Sequence, residues 1–116
     1  MKGLMQPTQL TLVHLFERAE RYGRDKRIIT ATATGKLTTT YGAWADRTRL
    51  LGGVLDILKI SKYGRVATLA WNSARHLELY FAAPCSNRVL HTLNFRLFPE
   101  QVTYIVNHAE DEVIFC

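Results

Sequence analysis

Three short apolar runs in the second half of the chain, separated by stretches of helical spacing, constrain the fold more than anything else in the sequence. Arg65-Val66-Ala67-Thr68-Leu69-Ala70 is nearly continuous in apolar character. A strand covered on both faces, as in a parallel sheet, reads this way. Residues 73–83 have helical spacing, with Leu77, Tyr80 and Phe81 directed inward and Pro84 expected to stop the helix. Residues 89–93 predict a second strand. Pro99 then fits the first turn of a helix, where its missing N–H is harmless, and Val102, Ile105, Val106 and Ala109 form that helix's apolar stripe. Residues 112–116, around Val113-Ile114-Phe115, predict a third strand. Strand, helix, strand, helix, strand at this spacing is an α/β pattern: a partial parallel β-α-β-α-β sheet with right-handed crossovers.

The first half reads as a helix, a β-hairpin and a second helix. Leu12, Leu15, Phe16, Ala19 and Tyr22 recur at helical spacing, and Gly23 stands where a C-cap glycine belongs. Residues 27–33 and 37–40 predict two strands around a turn at Thr34-Gly35-Lys36, with the many threonines on one polar face and Ile29, Ala31 and Ala33 between them. Thr40 is expected to cap a helix over residues 41–58, with Trp44, Leu51, Val54, Leu55 and Leu58 on one face. Gly52-Gly53 inside that helix costs about 1 kcal/mol per glycine relative to alanine, which suggests close packing of another backbone. Residues 1–116 are thus expected to be one segment, with residues 1–62 supplying helix, hairpin and helix and residues 63–116 the parallel unit.

Composition is that of a globular chain, 47% apolar and 22% charged over 116 residues. No apolar run approaches the ~20 residues needed to span a bilayer, so no transmembrane segment is expected. There is no secretory leader pattern, and Cys85 and Cys116 form no CxxC or zinc spacing; the expected location is cytoplasmic. Residues 1–65 carry 12 basic and 5 acidic side chains, a net of +7, and residues 66–116 carry 3 and 5, a net of −2. A basic half attracts phosphates, nucleic acid or an anionic membrane. Because acidic residues are interspersed and no basic run alternates with aromatics, a nucleic-acid partner is not expected.

Most chemical motifs fail. Ala33-Thr34-Gly35-Lys36-Leu37 has the end of a phosphate-binding loop, but Thr30 stands where the first glycine belongs and Leu37 where a magnesium-binding hydroxyl belongs. GxGxxG and GxSxG are absent. His14, His76 and His108 lack any ligand spacing, so no metal site is expected. His91 is placed differently, within a strand whose end carries Thr92, Asn94 and Arg96. Ligands of open α/β sheets gather outside the carboxyl ends of strands. These four residues, with Asn72 after the preceding strand, are the substrate-side candidates; packing and capping are their alternative roles. Asn72 or Ser73 suits a helix N-cap, and Arg75 has only Glu78, at i+3, as a helix-surface partner.

Five ordered blocks carry a family resemblance: Thr40-Tyr41-Gly42-Ala43-Trp44-Ala45-Asp46-Arg47; Arg65 to Ala70 with Trp71-Asn72; Arg75-His76-Leu77-Glu78-Leu79-Tyr80-Phe81-Ala82; Val89-Leu90-His91-Thr92-Leu93-Asn94 with Arg96-Leu97; and Tyr104-Ile105-Val106-Asn107-His108-Ala109-Glu110-Asp111. Over residues 11–116 the chain resembles the beginning of a medium- or long-chain fatty-acyl-CoA synthetase of the acyl-adenylate-forming, AMP-binding superfamily. The resemblance implies a two-step ligase of lipid metabolism. A fatty-acid carboxylate attacks the α-phosphate of ATP, and CoA thiol then displaces AMP, with magnesium neutralising the phosphates. The family's phosphate loop, adenine-binding stretch and catalytic lysine have no counterpart here, so no catalytic or cofactor-binding residue is assigned. Two departures stand out: Tyr63-Gly64 replaces the family's Gly-Asp, and Asn87-Arg88 replaces a small Gly-Ala pair. A bulky Arg88 is expected to disturb the strand it leads into.

The expectation is therefore an N-terminal fragment of a fatty-acid–CoA ligase, inactive by itself, needing no cofactor alone but ATP, magnesium and CoA in its full-length context. A chain stopping on a buried-type strand points the same way. The alternative is a non-catalytic self-association module, with Trp44, Phe95 and Phe98 as contact residues. The resemblance implies a homodimer, since full-length members often pair through their N-terminal regions, and a stable dimer of the chain alone would favour the module.

Overall fold

A computed structural model describes residues 3, 4 and 6–116. The order is α1 (Leu12–Gly23), β1 (Arg27–Thr32), β2 (Gly35–Thr40), α2 (Tyr41–Ile57), β3 (Arg65–Thr68), α3 (Ala74–Cys85), β4 (Val89–Thr92), α4 (Pro99–Ala109) and β5 (Asp111–Phe115). β1 and β2 form an antiparallel hairpin, while β3, β4 and β5 form a parallel sheet in the order β4-β3-β5. The mixed α/β architecture expected from the sequence is present. The step from β3 to β4 goes one way and the return to β5 passes to the other side of β3. Right-handed connections then carry α3 and α4 over opposite faces.

β3 is central, and its Val66, Ala67 and Thr68 are fully buried, as its continuous apolar run requires. Val66 packs with Leu55 of α2, Ile60 and the α3 residues Leu79 and Ala83, so one face of the sheet meets both helices. A second cluster joins α1, α2 and α3 through Phe16, Trp44 and Phe81. Its rings meet at centroid separations of 5.1 Å (Phe16–Trp44) and 5.0 Å (Trp44–Phe81), geometries that add to the area they bury. Trp44 is thereby a core residue and not the exposed contact residue expected.

Local signals explain most helix ends. Thr40 Oγ1 accepts the Ala43 N–H at 3.2 Å, and Ser73 Oγ accepts that of His76, so both caps are side-chain oxygens. Gln101 Oε1 accepts the Phe98 N–H at the start of α4, and Glu110 ends that helix in the left-handed region at φ 54°. The stripe Val102, Ile105, Val106 and Ala109 is half-buried, as its spacing predicts.

Several expectations are corrected. Gly23 is the last helical residue of α1, with Arg24 as the right-handed cap. On that helix only Phe16 is buried, because α1 leans on its neighbours along one edge; Leu15 and Tyr22 stay exposed. The hairpin turn is Ala33-Thr34, one residue early, with Gly35 at φ 146° opening β2. The hairpin's faces are inverted: Ile28 and Thr30 turn inward and Ile29 and Ala31 outward. Ile28 joins the Phe16–Trp44 cluster and Thr30 Oγ1 accepts the Ala74 N–H at 3.0 Å, a tertiary bond that outweighs the polar-out pattern.

In α2, Val54 and Leu58 are exposed while Ala45 and Thr48 share the buried face. No backbone approaches Gly52-Gly53: a Cβ on Gly52 would reach only Ser86 Cβ at 4.0 Å, and one on Gly53 would meet open space. Tyr80 is exposed, with His76, Leu79, Ala82 and Ala83 on the inner side of α3, which runs one residue past Pro84. β5 starts one residue early and its burial alternates, as suits a strand at the sheet border. Arg88 does not disturb β4. It is buried, and its guanidinium donates to the Ile60 carbonyl and to Asp56 Oδ1 at 2.7 Å, fastening the end of α2 to the loop before β4.

Candidate functional site

The loops after β3 and β4 leave the carboxyl end of the sheet beside the hairpin. Between them lies an open groove of about 900 Å³ lined by Thr30, Thr32 and Leu37 of the hairpin, Trp71 and Asn72 after β3, and Phe95 and Arg96 after β4. Trp71 and Phe95 meet with ring centroids 4.0 Å apart, and the Arg96 guanidinium lies 5.6 Å from the Phe95 ring. Trp71 remains 70% exposed, so its ring forms an open wall. The groove therefore combines aromatic faces, one cation and an exposed amide.

Two of the five candidate residues, Asn72 and Arg96, line this groove together. Asn94 is exposed beside it, with its Oδ1 accepting the Arg96 N–H at 3.0 Å, a short turn that sets the direction of the segment. Thr92 is the exposed last residue of β4, level with Thr68. His91 lies inside β4, where its Nδ1 bonds the Asp111 carboxylate at 2.9 Å. Asp111 belongs to β5, two strands away, and its side chain is fully buried. The bond crosses β3 diagonally, since His91 stands opposite Ala67 and Asp111 opposite Arg65. His91 thus ties the outer strands together rather than facing the groove.

Trp71 and the hairpin threonines were not among the sequence candidates. Trp71 carried a signal, an aromatic directly after a buried strand, but nothing local predicts that the hairpin closes over it. Of the remaining histidines, His76 is buried against Thr68 Oγ1 at 2.9 Å. Arg75 and Arg47 both bond the buried Glu78 carboxylate at 2.8 Å. Burial pushes the Cys85 thiol up, away from nucleophilic use at neutral pH. No group of three or more His, Cys, Asp or Glu among the described residues is arranged for a metal ion.

The sequence model of the family described as AMP-binding enzyme matches residues 15–116. The chain belongs to that family. It is 42% identical to the 3-methylmercaptopropionyl-CoA ligase of Ruegeria lacuscaerulensis, over 99% of this chain and 22% of the relative. It is 39% identical to the medium-chain-fatty-acid–CoA ligase of Ectopseudomonas oleovorans and 43% identical to the long-chain-fatty-acid–CoA ligase of Thermus thermophilus, covering 98% and 95% of this chain. The N-terminal domain of FACL13 from Mycobacterium tuberculosis superposes with a TM-score of 0.82 at 22% identity, over 91% of this chain and 26% of that domain, a likeness of fold. The chain spans about a fifth of the length of the curated relatives it matches.

The N-terminus of α3, beside the groove, is not open to a nucleotide phosphate. A helix N-terminus is the usual anion cradle. At α3, however, the Ala74 and His76 N–H groups are taken by Thr30 and Ser73. No step of adenylation is therefore assigned to this chain's own side chains.

Proposed function

We propose that this chain is the opening part of the large domain of a fatty-acid–CoA ligase, a cytoplasmic enzyme that in its whole form joins fatty acid and CoA at the expense of ATP. The observation that carries the reading is the family match over residues 15–116 together with identity to medium- and long-chain fatty-acid–CoA ligases along nearly the whole chain. Within it, Asn72 and Arg96 are substrate-side residues of the groove, suited to a ligand with an anionic group and a ring or chain that lies on Trp71 and Phe95. Thr92 and Asn94 shape the loop that carries them, and His91 positions β4.

On this reading the chain is inactive by itself, because adenylation needs donors aimed at the transferring phosphate and the Ala74 and His76 N–H groups beside the groove are already taken. ATP–pyrophosphate exchange with medium- and long-chain fatty acids should stay at the blank rate for the 116-residue chain; clear exchange would refute the inactivity. A chimaera in which these residues replace their counterpart in the Thermus thermophilus ligase should regain fatty-acid-dependent exchange. Arg96→Ala in that chimaera should raise KM for an anionic substrate about tenfold, the loss of one charge-assisted contact.

Self-association is the second reading, favoured by surface area. The chain exposes 8905 Å², against about 6,500 Å² for a folded monomer of this mass. Part of the excess lies in exposed side chains ahead of α1, Leu4 and Leu10 among them. Phe95 and Phe98 are the exposed aromatics a homodimer would cover. Light scattering behind a sizing column tests it, since a mass of one chain at all concentrations excludes it.

A further inference from the structure

A smaller cleft of about 310 Å³ lies next to the groove, between β2 and the start of α3. Leu37, Thr38 and Thr39 line it from the hairpin, and Arg47, Ser73 and Arg75 from the helices. The Thr30 bond to the Ala74 N–H fastens the hairpin to α3 at this cleft. Arg47 Nε and Arg75 Nη1 both donate to one oxygen, Glu78 Oε1, at 2.8 Å, so the two nitrogens lie no more than twice that distance apart. A single buried carboxylate thus answers two guanidinium charges. Among the described residues no carboxylate lines the cleft, and the first turn of α3 carries none. Each guanidinium has five N–H donors and uses one on Glu78, and both side chains stay more than half exposed.

We propose that this cleft binds a phosphate group, as the free ion or as a small phosphate monoester. Two planar forks of N–H donors held close together match the oxygens of a tetrahedral anion. The anion supplies the negative charge that Glu78 alone leaves short, and it offsets the repulsion between two like charges drawn to one oxygen. The Thr38 and Thr39 hydroxyls add donors, and Ser73 Oγ accepts the His76 N–H while keeping its own hydrogen to give. Because the Ala74 and His76 N–H groups are taken, guanidinia and hydroxyls rather than the α3 backbone hold the anion. Leu37 offers an apolar rest for the carbon group of an ester. A nucleic acid needs a row of cations, and this cleft has two. The site stands on Arg47 and Arg75 and is independent of the fatty-acid reading, which rests on Asn72 and Arg96.

Thermal unfolding of the 116-residue chain tests this, with sodium phosphate or phenyl phosphate titrated against sodium chloride of equal ionic strength. Saturable stabilisation is expected, with a Kd of about 1 mM or below and a melting temperature raised by about 5 °C at about ten times Kd. Tighter binding of phenyl phosphate identifies an ester as the ligand; equal or weaker binding identifies the free ion. Arg47→Gln and Arg75→Gln should each weaken binding about tenfold or more, the loss of a charge-assisted contact. Either change leaves the other arginine on Glu78, so the circular dichroism of the unliganded variants should match that of the parent. Arg75→Lys should recover only part of the affinity, since an ammonium lacks the fork. Arg96→Gln, in the groove, should leave phosphate affinity unchanged. The proposal is overturned if phosphate stabilises no more than chloride does, or if both arginine variants bind as the parent does. It is equally overturned if Arg96→Gln causes the same loss, which puts the anion in the groove.

Discussion

Glu112 shows how one side chain can hold a loop. Its Oε2 accepts the Ser61 N–H at 2.8 Å, and that backbone bond holds the Glu112 carboxyl below the usual carboxylate range. A carboxylate whose titration is depressed by folding stabilises at neutral pH and loses that contribution as pH falls through its folded value. The unfolded chain binds the proton first, so stability rises with pH in this window. Glu112→Gln should therefore lower the melting temperature at pH 7, and the gap to the parent should close below about pH 4; a gap constant with pH would contradict the assignment. Arg88 fastens more. Arg88→Ala removes its bonds to Ile60 and Asp56 and should cost about 2 kcal/mol in urea unfolding. Arg88→Lys should recover only part, since an ammonium lacks the planar fork.

Among the elements, burial separates variants that matter from those that do not. Leu55 of α2 is fully buried against Val66 and Leu79, whereas Leu37 of β2 is 65% exposed. Leu55→Ala should cost about 2–5 kcal/mol and Leu37→Ala about 0.5 kcal/mol or less in the same urea titration. The existence and kind of all nine described elements could be read from the sequence, because period, caps and proline positions agreed with one another. Faces were read less well. The hairpin alternates Thr with Ile or Ala, and either parity satisfies strand propensity; the choice fell to a bond from Thr30 to the start of α3, 44 residues on. In α1 the apolar stripe was real, but two neighbouring helices cover only the Phe16 edge. The groove was half legible: Asn72 and Arg96 followed from the rule about strand ends, while Trp71 against Phe95 needed the meeting of the loops after β3 and β4. His91 obeyed the strand pattern and not the rule, because Asp111 was placed to meet it.

At the scale of the molecule, the charge asymmetry of the sequence does not survive folding as separate territories. Arg24 and Arg49 bind Glu20 of α1, Arg47 and Arg75 bind Glu78, and Arg88 binds Asp56, so the basic half is laced to acids of several elements. No helix among the described residues is long and apolar enough to cross a membrane. If copies associate, mass action makes the melting temperature rise with protein concentration. Calorimetry over a hundredfold range should show that rise for the dimer, and a flat line would leave only the monomer.

The His91–Asp111 contact across β3 couples the two border strands when the sheet comes apart. Detaching β4 would leave the buried Asp111 carboxyl without its partner, and detaching β5 would pull that carboxyl away from His91. Neither border strand can therefore fray alone at low cost. Their amide protons should exchange with solvent in one joint opening, and His91→Leu, by removing the bond between the two strands, should let the borders open independently.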